Sequence, residues 1–193
     1  MKKPILPASA ALLLLSALPA SAHSALGQSS GFLQGLSHPL TGADHLLAMV
    51  AVGIWAAWLG GRARWLVPAS FVSVMAASAA LTTGGGMFPF AENLIAASIV
   101  TLGLFIAMGL RLPVWAGAVL VSLFAIAHGA AHGAEMPVDA SGLAYGLGFV
   151  AATASLHAAG LFAALSVRNP RLVRLAGSAI ALAGFGMAYG VMA

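Results

Sequence analysis

From residue 42 onward the chain is built of long apolar blocks, broken only by short clusters of glycine, proline and arginine. The blocks are close to the roughly 20 residues that an α-helix needs to cross a bilayer. Six spans are predicted, over residues 42–59, 65–81, 91–110, 113–134, 141–167 and 172–192. The predicted fold is an all-α membrane protein, a six-transmembrane-helix bundle.

The first 22 residues have a different grammar. Lys2 and Lys3 form a charged start, residues 8–18 an apolar core, Pro19 a break, and Ala20-Ser21-Ala22 a small-residue cleavage site. This is the pattern of a secretory signal peptide, with an apolar run too short to span. The expected organisation is a signal peptide over 1–22 and a single membrane domain over 23–193, with His23 at the mature N-terminus. Residues 23–37 are too polar and glycine-rich for a span and are expected to form an interfacial segment or a plug over the outer face.

Charge tests the span count. Only 6% of residues are charged, against 61% hydrophobic, so the basic excess carries no suggestion of nucleic acid and placement matters more than the sum. Arg62 and Arg64 follow the first span, Arg111 the third, and Arg168, Arg171 and Arg174 the fifth; Asp44, Glu92, Glu135 and Asp139 all fall at the opposite ends. A wrong count would scramble that segregation. By the positive-inside rule both mature termini lie outside, and the expected location is a bacterial inner (cytoplasmic) membrane crossed many times. Gly142 with Gly146, and Gly186 with Gly190, have small-xxx-small spacing and are expected to be packing seams within the bundle, which leaves the oligomeric state unassigned.

Within this apolar background, HPLTGADH (38–45) and AHGAAHGAE (127–135) hold four of six histidines and two of four acidic residues. Cysteine is absent, so thiolate sites and disulfides are excluded. On a helix His128 and His132 are about 40° apart around the axis and about 6 Å along it, so both imidazoles can face one ion, with Glu135 a turn further on. Imidazole and carboxylate without sulfur suit nickel, cobalt, zinc or copper(II). Ionisable groups inside a span are costly and usually functional, which outweighs the alternative of two core histidines bonded to neighbouring carbonyls. Gly129 and Gly133 leave room beside the histidines for another helix or a passing ion.

The first string is more open. Pro39 suits a first helical turn and Thr41 with Asp44 a variant capping box, on which reading Asp44 is helix grammar. If the helix extends back to His38, its seven-residue spacing from His45 places both on one face, two turns apart. Asp44 can also orient a ligating histidine. The topology puts Asp44, His45, His132 and Glu135 at one depth at the outer mouth, with His128 about 9 Å below it. His157, sixteen residues into the fifth span, is expected about 24 Å down, too deep to share an ion with that cluster unless a helix is broken or strongly offset. Its alternative role is packing, bonded near Thr153 or Ser155. Taken as functional, the histidines form a descending path of sites weak enough to release an ion.

HPLTGADH and AHGAAHGAE fit the patterns His, five residues, Asp-His, and His-Gly-x-x-His-Gly-x-Glu. In these motifs the chain resembles the HupE/UreJ family, membrane proteins associated with hydrogenase and urease systems and regarded as nickel permeases. The resemblance covers essentially the whole mature chain. It implies functional roles for His38, Asp44, His45, His128, His132 and Glu135; His157 lies outside both motifs. Ala127 departs from the phenylalanine common before the first histidine of the second motif.

The expected function is a permease, not an enzyme, with a divalent transition metal as cargo, Ni2+ first and Co2+ or Zn2+ as alternatives, and with no resident cofactor. No GxxxxGK[ST] string provides for ATP. A divalent ion moving inward gains about 4.6 kcal/mol per 100 mV, so facilitated entry can accumulate it. Uptake should weaken as pH falls through roughly 6.5, since ligands must be unprotonated. An N-terminal His23 could capture metal first, although a leftover of cleavage is the simpler reading. The other readings are a metal-binding accessory or sensor without transport, a small haem b protein and, least favoured for want of HExxH or a serine motif, an intramembrane hydrolase.

Overall fold

The computed structural model describes residues 31–83, 88–134, 136 and 142–192. The expected signal peptide, His23, Glu135 and Asp139 lie outside them. Among the described residues there are seven α-helices and no strand: α1 (Gly31–Thr41), α2 (Ala43–Leu59), α3 (Ala63–Thr82), α4 (Ala91–Met108), α5 (Val114–Ala134), α6 (Gly142–Ser166) and α7 (Pro170–Met192). Helices α3 to α7 are each long and apolar enough to cross a membrane, and α1 with α2 forms a bent pair that, counted as one span, raises the number from five to six. The protein is an all-helical, multi-pass membrane protein.

Element ends follow local chemistry. Gly109, at φ 70°, closes α4 by donating its N–H to Ile106, so the helix stops before Leu110. Proline in the first turn and an Asn169 side chain that accepts from the Arg171 N–H at 3.0 Å start α7 at Pro170, two residues earlier than the apolar pattern suggests.

The largest departure is at the first string. Residues 31–41 form a helix, and α2 leaves it at 83°. Gly42, at φ −94° and ψ 118°, is extended backbone and caps α2 without a side-chain bond. The expected capping box does not form: Thr41 closes α1, its hydroxyl donating to the His38 carbonyl at 2.8 Å, and Asp44 accepts from the N–H of His45 at 2.8 Å. Pro39 lies inside α1 instead of opening the span. Its missing N–H leaves the last turn of α1 one backbone bond short, which favours a break nearby.

α2 is central, touching every other helix, while α3 packs mainly on α5, α4 on α7, and α1 on α6. Small residues make these seams. A side chain at Gly53 would run into the His157 carbonyl on α6, one at Gly129 into the Met75 carbonyl on α3, and one at Gly148 into the Phe32 carbonyl on α1. The room beside the α5 histidines is therefore taken by a helix. The pairs predicted as seams behave differently: among the described residues nothing lies within 4 Å of a side chain added at Gly146, Gly186 or Gly190, and one at Gly142 meets only Met136.

The arginines lie at the end opposite the four motif histidines. The Arg111 guanidinium stacks on Trp58 at 5.7 Å, Trp55 Nε1 donates to the Leu110 carbonyl at 3.2 Å, and Arg174 Nε donates to the Ala107 carbonyl at 2.7 Å. These contacts join the far end of α2, the α4–α5 turn and the start of α7. His45, in the first turn of α2, and His132, in the last turn of α5, meet at the other end.

Candidate metal site and the route beneath it

The histidine end is assembled around His132, which is fully buried. Its ring centroid lies 4.2 Å from His45, 4.8 Å from His38 and 4.1 Å from Phe149. His45 in turn lies 5.5 Å from His128. Three helices thus bring four imidazoles together: α1 supplies His38, α2 His45, and α5 the pair four residues apart. The bend at Gly42 is what does this for His38. On a continuous helix it would stand two turns beyond His45, whereas here both residues pack on the same partner ring. A Cβ at Gly42 would come within 2.8 Å of Asp44 Oδ1 and 3.3 Å of His45 Cδ2, so glycine lets the two side chains fold back over the helix start.

Each imidazole has a definable environment. His128 Nδ1 lies 3.0 Å from the Phe124 carbonyl. A carbonyl only accepts, so Nδ1 carries the proton and Nε2 presents a lone pair. That Nε2 is buried and has no hydrogen-bond partner among the described residues. A backbone carbonyl holding one ring nitrogen while the other is presented is the arrangement that fixes tautomer and direction in metal-binding histidines. Asp44 is half-buried beside His45, with one carboxylate oxygen engaged by the helix N-terminus.

The rings stand at packing separations, and a coordinated imidazole nitrogen lies about 2 Å from its metal. Among the described residues no three histidine, aspartate or glutamate side chains are already drawn to coordination distance. Ion capture at this end requires the rings to turn toward a common point.

His157 is closer to the cluster than chain counting predicts. Its carbonyl packs at Gly53, eight residues from His45 and so about 12 Å along α2. The reason is an offset: the first turns of the 25-residue α6 rise beside α1, with Tyr145 at Gly35 and Gly148 at Phe32. His157 does not join the cluster. Phe71 stands between, edge-on to both rings, 5.3 Å from His128 and 5.1 Å from His157. The proposed packing bonds are also absent, because the Thr153 hydroxyl points to Met75 and the Ser155 hydroxyl to the Ala151 carbonyl.

Over residues 11–187 the chain matches the family described as HupE / UreJ protein. It is also 43% identical over 179 residues to Protein HupE of Rhizobium leguminosarum bv. viciae, a match covering 90% of this chain and 93% of that protein. The chain belongs to the HupE/UreJ family. No solved structure matches it.

Within this HupE/UreJ chain, Ala127 is buried with Ile95 and Ala131 at the contact with α4, so its departure from the family pattern bears on helix packing. The aromatic lining was missed from sequence. Tyr145 stacks with Phe149 at 6.3 Å, and both lie beside His38, at 6.0 and 6.3 Å. A signal for it exists: Tyr145, Phe149, Thr153 and His157 recur every fourth residue and form one buried row on α6.

Proposed function

We propose that this protein is a membrane permease that carries a divalent transition metal, Ni2+ foremost, into the cytoplasm for hydrogenase or urease maturation. The observation that carries the reading is the chain of rings from His38 through His132 and His45 to His128, continued past Phe71 to His157, inside a multi-pass HupE/UreJ protein. The predicted signal peptide and the arginine pattern support an orientation with the histidine end outside and the arginine end inside. Asp44, with Glu135, attracts the hydrated ion; the imidazoles of the mouth replace part of its water; His128 and His157 hand it inward. Imidazole and carboxylate donors serve Co2+ and Zn2+ as well, and the membrane potential supplies the driving force. Nothing in this scheme requires a resident cofactor or a chemical step.

Purified protein in liposomes enclosing a nickel-sensitive dye tests it. The parent should admit nickel, and His132→Ala and His128→Ala should each lower the initial rate at limiting metal on the order of tenfold or more. Variants that match the parent remove the route. A parent that binds nickel at equilibrium without passing it supports the accessory or sensor reading instead.

A further inference from the structure

Beneath Phe71 the route meets a second group of donors that neither motif contains. On α6, Thr153 and His157 lie one turn apart on the same face, and on α3, Phe71 and Met75 do the same. The two faces meet: the His157 ring packs on Phe71, and the Thr153 hydroxyl lies 3.8 Å from Met75 Sδ. All four side chains are essentially inaccessible to solvent.

Two features distinguish this group from ordinary core. Neither His157 nitrogen has a hydrogen-bond partner among the described residues, although the ring is only 2% exposed. Such atoms are costly to bury and are usually satisfied. The Thr153 hydroxyl also has no carbonyl partner among the described residues, whereas the buried serine hydroxyls find one, Ser78 at Ile126 across an interface and Ser98 at Ile95. Ser70, Ser155, Ser166 and Ser178 each donate to the carbonyl four residues back, the bond a helical hydroxyl normally makes. Thr153 turns away from its own helix to a thioether across the interface.

We propose that His157, Thr153 and Met75 form an inner binding station for a partly dehydrated late transition-metal ion, and that Met75 makes it selective. The proposal deepens the transport reading and rests on it for the route by which the ion arrives. The station offers imidazole nitrogen, hydroxyl oxygen and thioether sulfur. Mg2+, Ca2+ and Mn2+ prefer oxygen, whereas sulfur and imidazole favour softer ions such as Ni2+, Co2+ and Zn2+. The mouth cannot make this distinction by charge, because the Asp44 carboxylate attracts any divalent cation. An abundant hard ion that enters the mouth therefore finds a poorer site beneath Phe71 and returns.

The test is sulfur coordination in the full chain. X-ray absorption of the purified protein saturated with nickel should show a sulfur neighbour to the metal. Met75→Leu, which preserves volume, should abolish it, and Met108→Leu, at an exposed methionine on α4, should leave it unchanged. In liposomes Met75→Leu should narrow the preference for Ni2+ over Mn2+ on the order of tenfold, and Thr153→Val should act in the same direction. No sulfur neighbour in the parent, a sulfur signal that survives Met75→Leu, or an unchanged ion preference overturns the station while leaving nickel transport through the mouth intact. A Met75-dependent sulfur signal in a parent that passes no ion supports the station and removes the transport reading.

Discussion

Asp44 accepts a hydrogen bond from the backbone of its neighbour in the first turn of α2 and also carries the negative charge nearest the imidazoles among the described residues. Two substitutions separate these roles. Asp44→Asn keeps an acceptor oxygen and loses the charge, so thermal stability in detergent should hold while nickel uptake at limiting metal falls several-fold. Asp44→Ala loses both and should also destabilise by about 1 kcal/mol, the usual net worth of one hydrogen bond. An Asn variant with parental uptake would make the carboxylate a structural group alone. At this scale the sequence was informative about donors: histidine and aspartate inside apolar blocks stand out because burying them is costly. Met75 and Thr153 did not stand out, since a methionine or threonine in an apolar helix looks like core until a partner helix is placed beside it.

The elements were legible where local chemistry decides them. Five of the six predicted spans correspond to α3 through α7 with small shifts at their ends, and the sixth to α2, because length and apolar content set them. The bend at Gly42 was not legible. Pro39, Thr41 and Asp44 fit the opening of one helix as well as the junction of two, and the docking of α1 on α6 selects the second. Glycine spacing misled for a related reason: a small-xxx-small pair says that a close approach is possible, while the partner is set by the whole bundle. Gly129 faces the α3 backbone, and a side chain at Gly186 has no neighbour within 4 Å among the described residues. Gly129→Leu should therefore cost about 1–3 kcal/mol through overpacking, and Gly186→Ala should fall within about 0.5 kcal/mol of the parent. Parallel thermal unfolding in one detergent checks both, and equal midpoints would contradict the α3–α5 seam.

Across the whole molecule the ends are chemically opposite, imidazoles at one and arginines at the other. The charge pattern expects the arginine end in the cytoplasm. The absence of cysteine makes this directly measurable, since any introduced thiol is unique. In intact cells freed of outer-membrane barriers, Ala193→Cys should react with a membrane-impermeant maleimide, and Asn169→Cys should react only after the bilayer is opened. The reverse pattern would invert the proposed direction of entry. The depth of His157 shows why whole-molecule geometry exceeded the sequence: chain counting measures distance from a helix's own start, and α6 starts beside α1, well beyond the level of the mouth.

The 83° turn at Gly42 has one more consequence. His38 reaches His132 only while α1 is docked against α6, so an ion bound by both residues is bound by the docked arrangement and by no other. Occupancy and docking are then thermodynamically linked: the ion stabilises the docked helix by RT ln(1 + [ion]/Kd), and whatever loosens the helix weakens the ion's hold in equal measure. Affinity at the mouth is thus set partly at Gly35 and Gly148, where two backbones touch and no ligand is present.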